Sequence, residues 1–277
     1  MAADPSALFR TIDLTRVRAG GASRAHDLAA TEEPLEVRLH GEPFSVIMRT
    51  PGHDRELAAG FLLAEQVIQR ASDVRSIAHR RDLAGDLDTN VVNVMFSDSH
   101  AAELPRLLEG RRQTSTASSC GLCGRRSIES LALDVPPLAS TWTIRAVTVA
   151  RLPEELRRAQ TAFDETGGLH AAGVFSPGGE RLDAAEDVGR HNAVDKIVGR
   201  ALMAGTLPLS ACVLMVSGRA SFEIVQKAHI AGLPIVAAVS APSTLAIELA
   251  DRAGITLIGF VRGDSFNVYT HSARVLI

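Results

Sequence analysis

Two cysteines separated by two residues are the most reactive side chains in the sequence. Cys120 and Cys123 lie in SSCGLCGRRSIE, beside two glycines and just before Arg125 and Arg126. The guanidinium charges favour the thiolate, which is the nucleophilic form of cysteine. The preceding stretch, residues 110–119, has almost no apolar side chain to bury, which predicts a mobile loop. A nucleophilic cysteine on such a loop could visit one partner and then another.

Metal binding and disulfide exchange are the alternative chemistries for this pair. A structural zinc site needs four ligands, but the pair supplies two and no histidines show the usual paired spacing. The third cysteine, Cys212, lies in the apolar run ACVLMV and is predicted to be an inert core thiol. A zinc deaminase would need His-x-Glu before Pro-Cys-x-x-Cys, whereas here HAA lacks the glutamate and follows the cysteines. We therefore predict no metal site, while sulfur carriage and disulfide exchange both stay open.

Composition excludes several broad classes of protein. The 277 residues carry a formal net charge of −3, are 46% hydrophobic and include three cysteines. This charge gives no basic field that would attract nucleic acid or an anionic membrane. No apolar run reaches the roughly 18 residues of a membrane span, and the first residues lack the apolar region of a secretory signal. We therefore expect a cytoplasmic protein with reduced thiols and with neither nucleic acid nor membrane as a partner.

Hydrophobic periodicity divides the chain into four parts. Residues 1–33 have weak periodicity and are predicted to be a loosely ordered arm, and residues 34–110 to be a smaller α/β lobe. Residues 111–140 are predicted to be the mobile cysteine loop and a connector. Residues 141–277 alternate apolar strands with helices, which predicts a largely parallel sheet covered on both faces. Its first helix is predicted to begin at Pro153 and to be closed by Gly167.

Three loops follow predicted strands of this larger domain. They are SGRAS at 217–221, SAPST at 240–244 and RGDS at 262–265. Ligands bind beyond the carboxyl ends of strands in open parallel sheets, and two of these loops also open a helix. Arg219, Arg262 and the hydroxyl groups suit a phosphate-bearing ligand such as a nucleotide, although well-capped α/β connections look similar. The usual dinucleotide and P-loop fingerprints are missing.

Two further motifs contain histidine. EDVGRHNAVDK lies at a predicted helix start, where Asp195 and Lys196 could simply be solvated. We favour a place in the ligand site for Arg190 and His191. His170, in TGGLHAAG, is predicted to be a packed histidine and not a ligand-binding one.

The sequence resembles the FdhD family of formate dehydrogenase accessory sulfurtransferases. The resemblance runs from about Pro34 to Thr270 and leaves out residues 1–33. The stretches that carry it are ELAAGFLLAEQVI, SSCGLCGRRSIE, TGGLHAAG, EDVGRHNAVDKIVG, SGRASFEIVQKA, AVSAPSTLAIELA and ITLIGFVRGDSFNVYT. It implies an α/β protein with a cytidine-deaminase-like three-layer α/β/α core that lacks the deaminase metal site.

The same resemblance implies a function. Persulfide sulfur would pass from a cysteine desulfurase to the molybdenum or tungsten bis-molybdopterin guanine dinucleotide cofactor of formate dehydrogenase, and the protein would form a homodimer. Cys120 would carry the persulfide and Cys123 would assist it; a guanine nucleotide would mimic the cofactor. The residues expected to hold the cofactor are Phe260, Val261, Arg262, Gly263, Asp264 and Ser265, together with Arg219, His191 and Arg190. A thiol–disulfide oxidoreductase and a non-catalytic cofactor chaperone are the alternatives.

Overall fold

The structure is a computed structural model that describes residues 8–81, 84–108 and 136–277, except for the side chains of residues 104–108. The predicted catalytic pair, Cys120 and Cys123, lies outside the described residues.

A β-hairpin opens the described part of the chain. Strand β1 (Phe9–Arg18) pairs antiparallel with β2 (Gly21–Ala30), and most of their side chains are exposed. Strand β2 packs against a short helix, α4 (Thr161–Thr166). Regular strands therefore replace much of the loosely ordered arm expected for residues 1–33. Periodicity gave no signal here because cross-strand hydrogen bonds, and not burial of one face, define these strands.

The smaller lobe is a four-stranded sheet with two helices. Its elements are β3 (Glu33–Leu39), β4 (Glu42–Arg49), α1 (Asp54–Ala64), β5 (Val74–Arg81), β6 (Leu87–Phe96) and α2 (Asp98–Leu108). The strands lie in the order β4-β3-β6-β5, with β3 parallel to β6. Leu35, Val37 and Leu39 alternate with more exposed residues along β3, so one face of the sheet enters the core.

The larger domain contains a six-stranded mixed sheet. Its remaining elements are β7 (Ile144–Arg145), α3 (Ala146–Arg157), β8 (His170–Phe175), β9 (Arg181–Asp187), α5 (Arg190–Met203), β10 (Val213–Val216), α6 (Phe222–Ile230), β11 (Ile235–Ala238), α7 (Thr244–Arg252), β12 (Thr256–Arg262), β13 (Ser265–Val268) and β14 (Val275–Leu276). The order is β13-β12-β11-β10-β8-β9, and the parallel pairings in this sheet are those of β10 with β11 and of β11 with β12. The expectation of a largely parallel sheet is therefore wrong at β8 and β13, which run opposite to the other strands because β8 forms a hairpin with β9 and β13 forms one with β12.

Helices cover both faces of this sheet. Along β10, Val213 and Met215 pack in an apolar cluster that includes residues of α3. Leu214 and Val216 point the other way, into a cluster with residues of α5, α6 and α7. The α/β class and the three-layer α/β/α core are thus confirmed.

Helix α3 begins earlier than predicted. It starts at Ala146 and continues through Pro153, and α4 follows as a separate short helix closed by Gly167 in the left-handed conformation. A proline in the first turn is the usual pattern, because a proline further along lacks the N–H for the helical hydrogen bond. Pro153 is an exception to that pattern, whereas the end at Gly167 is confirmed.

The two lobes meet where α1 crosses α5. A Cβ atom on Gly60 would lie 2.0 Å from the carbonyl oxygen of Asp195, and one on Gly199 would lie 1.8 Å from that of Glu56. Glycine at both positions therefore lets the helix backbones touch. One apolar cluster runs from the smaller lobe through this crossing into the larger domain. No helix in the described ranges is long and apolar enough to span a membrane.

Candidate functional site

A cavity of about 940 Å³ opens at the carboxyl edge of the parallel strands. Ser217 follows β10, Val239 follows β11, and the β12–β13 turn contributes Gly263 and Asp264. His170 begins β8 and reaches the same edge because β8 runs antiparallel to β10. The cavity thus coincides with the edge at which the sequence predicted a ligand.

One face of helix α3 forms the opposite wall. The helix residues that line the cavity are Val147, Ala150, Arg151, Pro153, Glu154 and Arg157. The guanidinium of Arg157 forms an ion pair with Asp164 and lies 4.6 Å from the ring centroid of Phe163. Phe163, which belongs to α4, also lines the cavity. Arg151 is exposed. Cations beside apolar surface suit a large ligand that has both anionic and apolar parts.

His170 is a cavity residue, which corrects its prediction as a packed histidine. Its ring is half-buried and makes no hydrogen bond with any described residue. Burial and then the charge of Arg190 lower its pKa below 6.5, against the opposing charge of Asp187. The imidazole is therefore neutral at pH 7. A Cβ on Gly218 would lie 3.3 Å from His170 Nδ1, so the absence of a side chain there leaves room for the ring.

Arg190 lies next to this histidine. Its Cδ would be 3.7 Å from a Cβ on Gly218, and its buried Nε has no hydrogen-bond partner within the described ranges. Arg219, in the loop after β10, is exposed. Arg190 and Arg219, the two predicted cations, therefore both lie near the carboxyl edge of the sheet. Arg190 packs against Gly218, in the loop that also contains Arg219.

His191 lies behind that loop and outside the lining of this cavity. The ring is buried, with Nε2 3.2 Å from Ser221 Oγ and 3.7 Å from Glu223 Oε2. These contacts tie the start of α5 to the start of α6. Its predicted contact with the ligand stays a prediction.

Three other charged residues of EDVGRHNAVDK, Asp187, Asp195 and Lys196, are buried. Lys196 Nζ lies 2.7 Å from Asp187 Oδ2, and Lys227 Nζ lies 2.6 Å from Asp195 Oδ1. Asp195 and Lys196 are only 3% and 2% exposed, so the suggestion that they are solvated is wrong. The reason is that α5 is enclosed between the sheet and α1, which the sequence pattern of one helix does not reveal.

Asp187 fixes the entrance to α5. Its carboxylate accepts hydrogen bonds from the backbone N–H of Gly189 at 2.8 Å and from Asn192 Nδ2 at 2.8 Å. It also accepts one from the backbone N–H of Thr50 at 3.2 Å, across the boundary between the lobes. This carboxylate therefore sets where Arg190 begins the helix.

The loop predicted to bind the cofactor presents an aromatic ring and a cation to solvent. Phe260 is 39% exposed and has a φ of 54°, a left-handed conformation that is strained for a residue with a Cβ. The Arg262 guanidinium lies 5.9 Å from the Phe260 ring centroid, and its Nε donates to the carbonyl of Val239 at 3.2 Å. The side chain of Val261 is buried in the core, so only its backbone can meet a ligand.

The end of this loop reaches the cavity. Gly263 and Asp264 belong to its lining, and Gly263 has a φ of 57°, which favours glycine in the turn. Ser265 is exposed and its hydroxyl donates to the carbonyl of Arg262 at 3.3 Å.

Cys212 is confirmed as a core thiol. It is 8% exposed, lies in the large apolar cluster, and has its pKa raised by burial. In the part of the chain that the structure describes, no three or more His, Cys, Asp or Glu side chains form a cluster able to hold a metal ion.

Comparisons with known proteins extend over nearly the whole chain. The profile of the FdhD/NarQ family matches residues 30–276. The chain is 47% identical over 269 residues to the sulfur carrier protein FdhD of Streptomyces avermitilis, covering 95% of this chain and 94% of that protein. It is 48% identical over 250 residues to the protein of the same name from Mycobacterium tuberculosis, covering 89% and 91%. A crystal structure described as a formate dehydrogenase accessory protein from Desulfotalea psychrophila matches with a TM-score of 0.76 at 24% identity, covering 97% of this chain and all of that one, which supports the fold.

Proposed function

Because the chain belongs to the FdhD/NarQ family, we propose that it is a sulfurtransferase required for formate dehydrogenase activity. It would take persulfide sulfur from a cysteine desulfurase and deliver it to the molybdenum or tungsten bis-molybdopterin guanine dinucleotide cofactor. The observation that carries the proposal is the 47% identity, across 95% of the chain, to a protein named as a sulfur carrier. Cytoplasmic location and a homodimer belong to the same proposal.

The cavity supports binding of such a cofactor as the substrate. Its volume of about 940 Å³ is at the upper end of the usual range for ligand pockets. The Phe260 ring and the Arg262 guanidinium offer a stacking surface for a guanine base, and Gly263 lets a ligand approach the backbone closely. Arg151 adds a cation on the α3 wall that can face phosphate groups.

The loading step needs one thiolate. The Cys120 thiolate would attack the terminal sulfur of the persulfide on the desulfurase. The sulfur–sulfur bond of the donor breaks, its cysteine leaves as a thiolate, and Cys120 then holds the transferred sulfur. Cys123 would assist by exchange with that persulfide. No external oxidant or reductant enters this step.

Mass spectrometry after incubation with a desulfurase and cysteine tests the proposal. Wild type, Cys123→Ala and Cys212→Ala should each gain about 32 Da, one sulfur atom, and Cys120→Ala should gain nothing. Cys212→Ala is the matched control because that thiol is buried in the core. Loading of a Cys120→Ala/Cys123→Ala double variant would remove the pair from the mechanism.

Activation of formate dehydrogenase separates the alternatives. A chaperone that only holds the cofactor would still activate the enzyme with both cysteines replaced. A disulfide oxidoreductase would need both cysteines equally and would gain no sulfur mass. The sulfurtransferase should lose activation with Cys120→Ala and show the added mass in wild type.

A further inference from the structure

We infer that His170 and Arg190 form a subsite for the phosphate groups of the nucleotide that binds in this cavity. The inference rests on the proposed function for the identity of the nucleotide, a guanine nucleotide joined through a diphosphate. It assigns a binding role to His170 and separates the phosphate end of the site from the loop of residues 260–265.

The first observation is the position of His170. The ring lines the cavity at the point where β8 begins, and none of the described residues receives or donates a hydrogen bond to it. A neutral imidazole offers one N–H donor and one acceptor. A half-buried imidazole that faces a cavity without a protein partner is positioned for a ligand.

The second observation is the unpaired donor of Arg190. Its Nε is buried and lacks an acceptor among the residues that the structure describes. Buried polar atoms in proteins nearly always have a partner, so this partly exposed side chain is free to reorient toward an acceptor from a ligand. The charge of Arg190 is, after burial, the second cause of the lowered His170 pKa.

The third observation is the glycine between them. A Cβ on Gly218 would come within 3.3 Å of His170 Nδ1 and 3.7 Å of Arg190 Cδ. A side chain at this position would crowd the His170 ring. Gly218 therefore leaves room for His170 and Arg190 to lie side by side at the sheet edge. The neighbouring Ser217 Oγ accepts a hydrogen bond from the backbone N–H of Ala171 at 2.9 Å.

The charges around the cavity give the ligand a direction. The charged side chains that line this space are Arg151, Glu154 and Arg157 on α3 and Asp264 in the β12–β13 turn, and Arg190 and the buried Asp187 lie beside His170 behind the sheet edge. Asp187 is paired with Lys196, so its charge is largely compensated. Asp264 repels phosphate but can accept hydrogen bonds from the N–H groups of guanine. Phosphate would therefore lie toward His170 and Arg190, and the base toward Asp264.

Histidine NMR tests the contact directly. The pKa of His170 is followed in isotopically labelled protein, alone and with GDP, inorganic pyrophosphate or guanosine. An anion beside the ring should raise its pKa by about one unit with GDP and with pyrophosphate, and guanosine should leave it unchanged. An unchanged His170 pKa in the presence of bound GDP would overturn the inference, as would a lack of binding of both GDP and pyrophosphate to wild type.

Variants give an independent measurement by calorimetry. His170→Ala and Arg190→Ala should each bind GDP about tenfold more weakly, with guanosine affinity unchanged. His170→Gln keeps a donor and should recover part of the loss, which separates a contact from a folding defect. His26→Ala, in the exposed β1–β2 hairpin, is the matched control and should bind GDP like wild type. Wild-type GDP affinity in both His170→Ala and Arg190→Ala would contradict the subsite.

The outcome is separable from that of the proposed function. Sulfur loading is measured on Cys120 in the absence of nucleotide. A protein that takes up no sulfur, but binds GDP with a raised His170 pKa, would keep the subsite and lose the proposed function. A protein that loads sulfur normally, but binds GDP without His170, would do the reverse.

Discussion

Asp195 and Lys227 form a buried ion pair. The two carboxylate oxygens of Asp195 accept hydrogen bonds from Lys227 Nζ at 2.6 and 2.8 Å. Burial raises the pKa of Asp195 to about 6 even though the charge of Lys227 opposes the shift. Desolvation therefore outweighs attraction for this carboxylate, and the pair holds α5 against α6 with little net gain in stability.

We expect Asp195→Asn to lower the free energy of unfolding at pH 7 by about 1–2 kcal/mol, because with a folded pKa of about 6 a neutral side chain beside Lys227 costs about one pKa unit at that pH. Asp195→Leu combined with Lys227→Met should recover most of this loss. Urea unfolding at pH 7 measures both variants. A single variant as stable as wild type would show that Lys227 reaches water.

The same pair predicts a dependence of stability on pH. The pKa of Asp195 is raised from the ordinary aspartate value of 3.8 to about 6 in the folded chain, so folding takes up a proton between these values. Its contribution to stability is complete below about pH 4 and is lost as pH rises through about 6. The difference in unfolding free energy between wild type and the Leu/Met double variant should therefore fall from pH 4 to pH 7. A constant difference would contradict the shifted pKa.

Arg262 is the residue on which guanine nucleotide binding by the 260–265 loop should depend most. Arg262→Ala removes the cation beside the Phe260 ring and should weaken GDP binding about tenfold by calorimetry. Arg252→Ala, at the exposed end of α7, is the control and should bind normally. Equal affinity in the two variants would remove Arg262 from the site.

At the scale of elements, the α1–α5 crossing depends on two glycines. Gly199→Ala would place a methyl group 1.8 Å from the carbonyl oxygen of Glu56, so the helices must separate. We expect a loss of about 3 kcal/mol in the free energy of unfolding, measured with urea. Gly20→Ala, in the β1–β2 turn where a Cβ would meet nothing within 4 Å, should change stability little. A wild-type value for Gly199→Ala would mean that the crossing adjusts freely.

Short sequence motifs correctly predicted the elements that depend only on neighbouring residues. The turn SPGG predicted the β8–β9 hairpin, and the alternation of strands and helices predicted the ligand edge of the sheet. His170 was missed because its place in the cavity depends on β8 running antiparallel to β10, which no short motif states. Val261 was included in the site although its side chain faces the core, because adjacent residues of a strand point to opposite faces. The burial of Lys196 likewise depends on the packing of a distant helix.

At the scale of the whole molecule, polar and apolar contacts join the two lobes. The large apolar cluster includes residues of both lobes, and the buried Lys196 donates to the backbone carbonyl of Thr50 at 3.0 Å. Asp187 accepts from the backbone N–H of the same threonine. Neither lobe can therefore unfold without exposing apolar surface of the other.

We therefore expect one cooperative unfolding transition. Trp142, the only tryptophan, donates from Nε1 to the carbonyl of Ser210 at 2.7 Å and reports on the larger domain. Its fluorescence and the far-ultraviolet circular dichroism of both lobes should change at the same urea concentration. Asp187→Ala leaves the buried Lys196 charge without its carboxylate and should move both curves together to lower urea by the equivalent of about 3 kcal/mol. Separate transitions in wild type would show independent lobes.

The polar groups of the cavity lie on one face of α3 and along one edge of the sheet, whereas the apolar clusters lie mainly in the buried faces of strands and helices. This separation has an evolutionary consequence. Under the proposed function, substitutions at exposed loop positions such as Arg219 or Asp264 can alter which nucleotide is preferred while the fold is inherited intact. Related proteins could therefore change their ligand through a series of single substitutions that hardly affect stability. Selection would then act on residues at the edge of the sheet before it acted on residues of the apolar core.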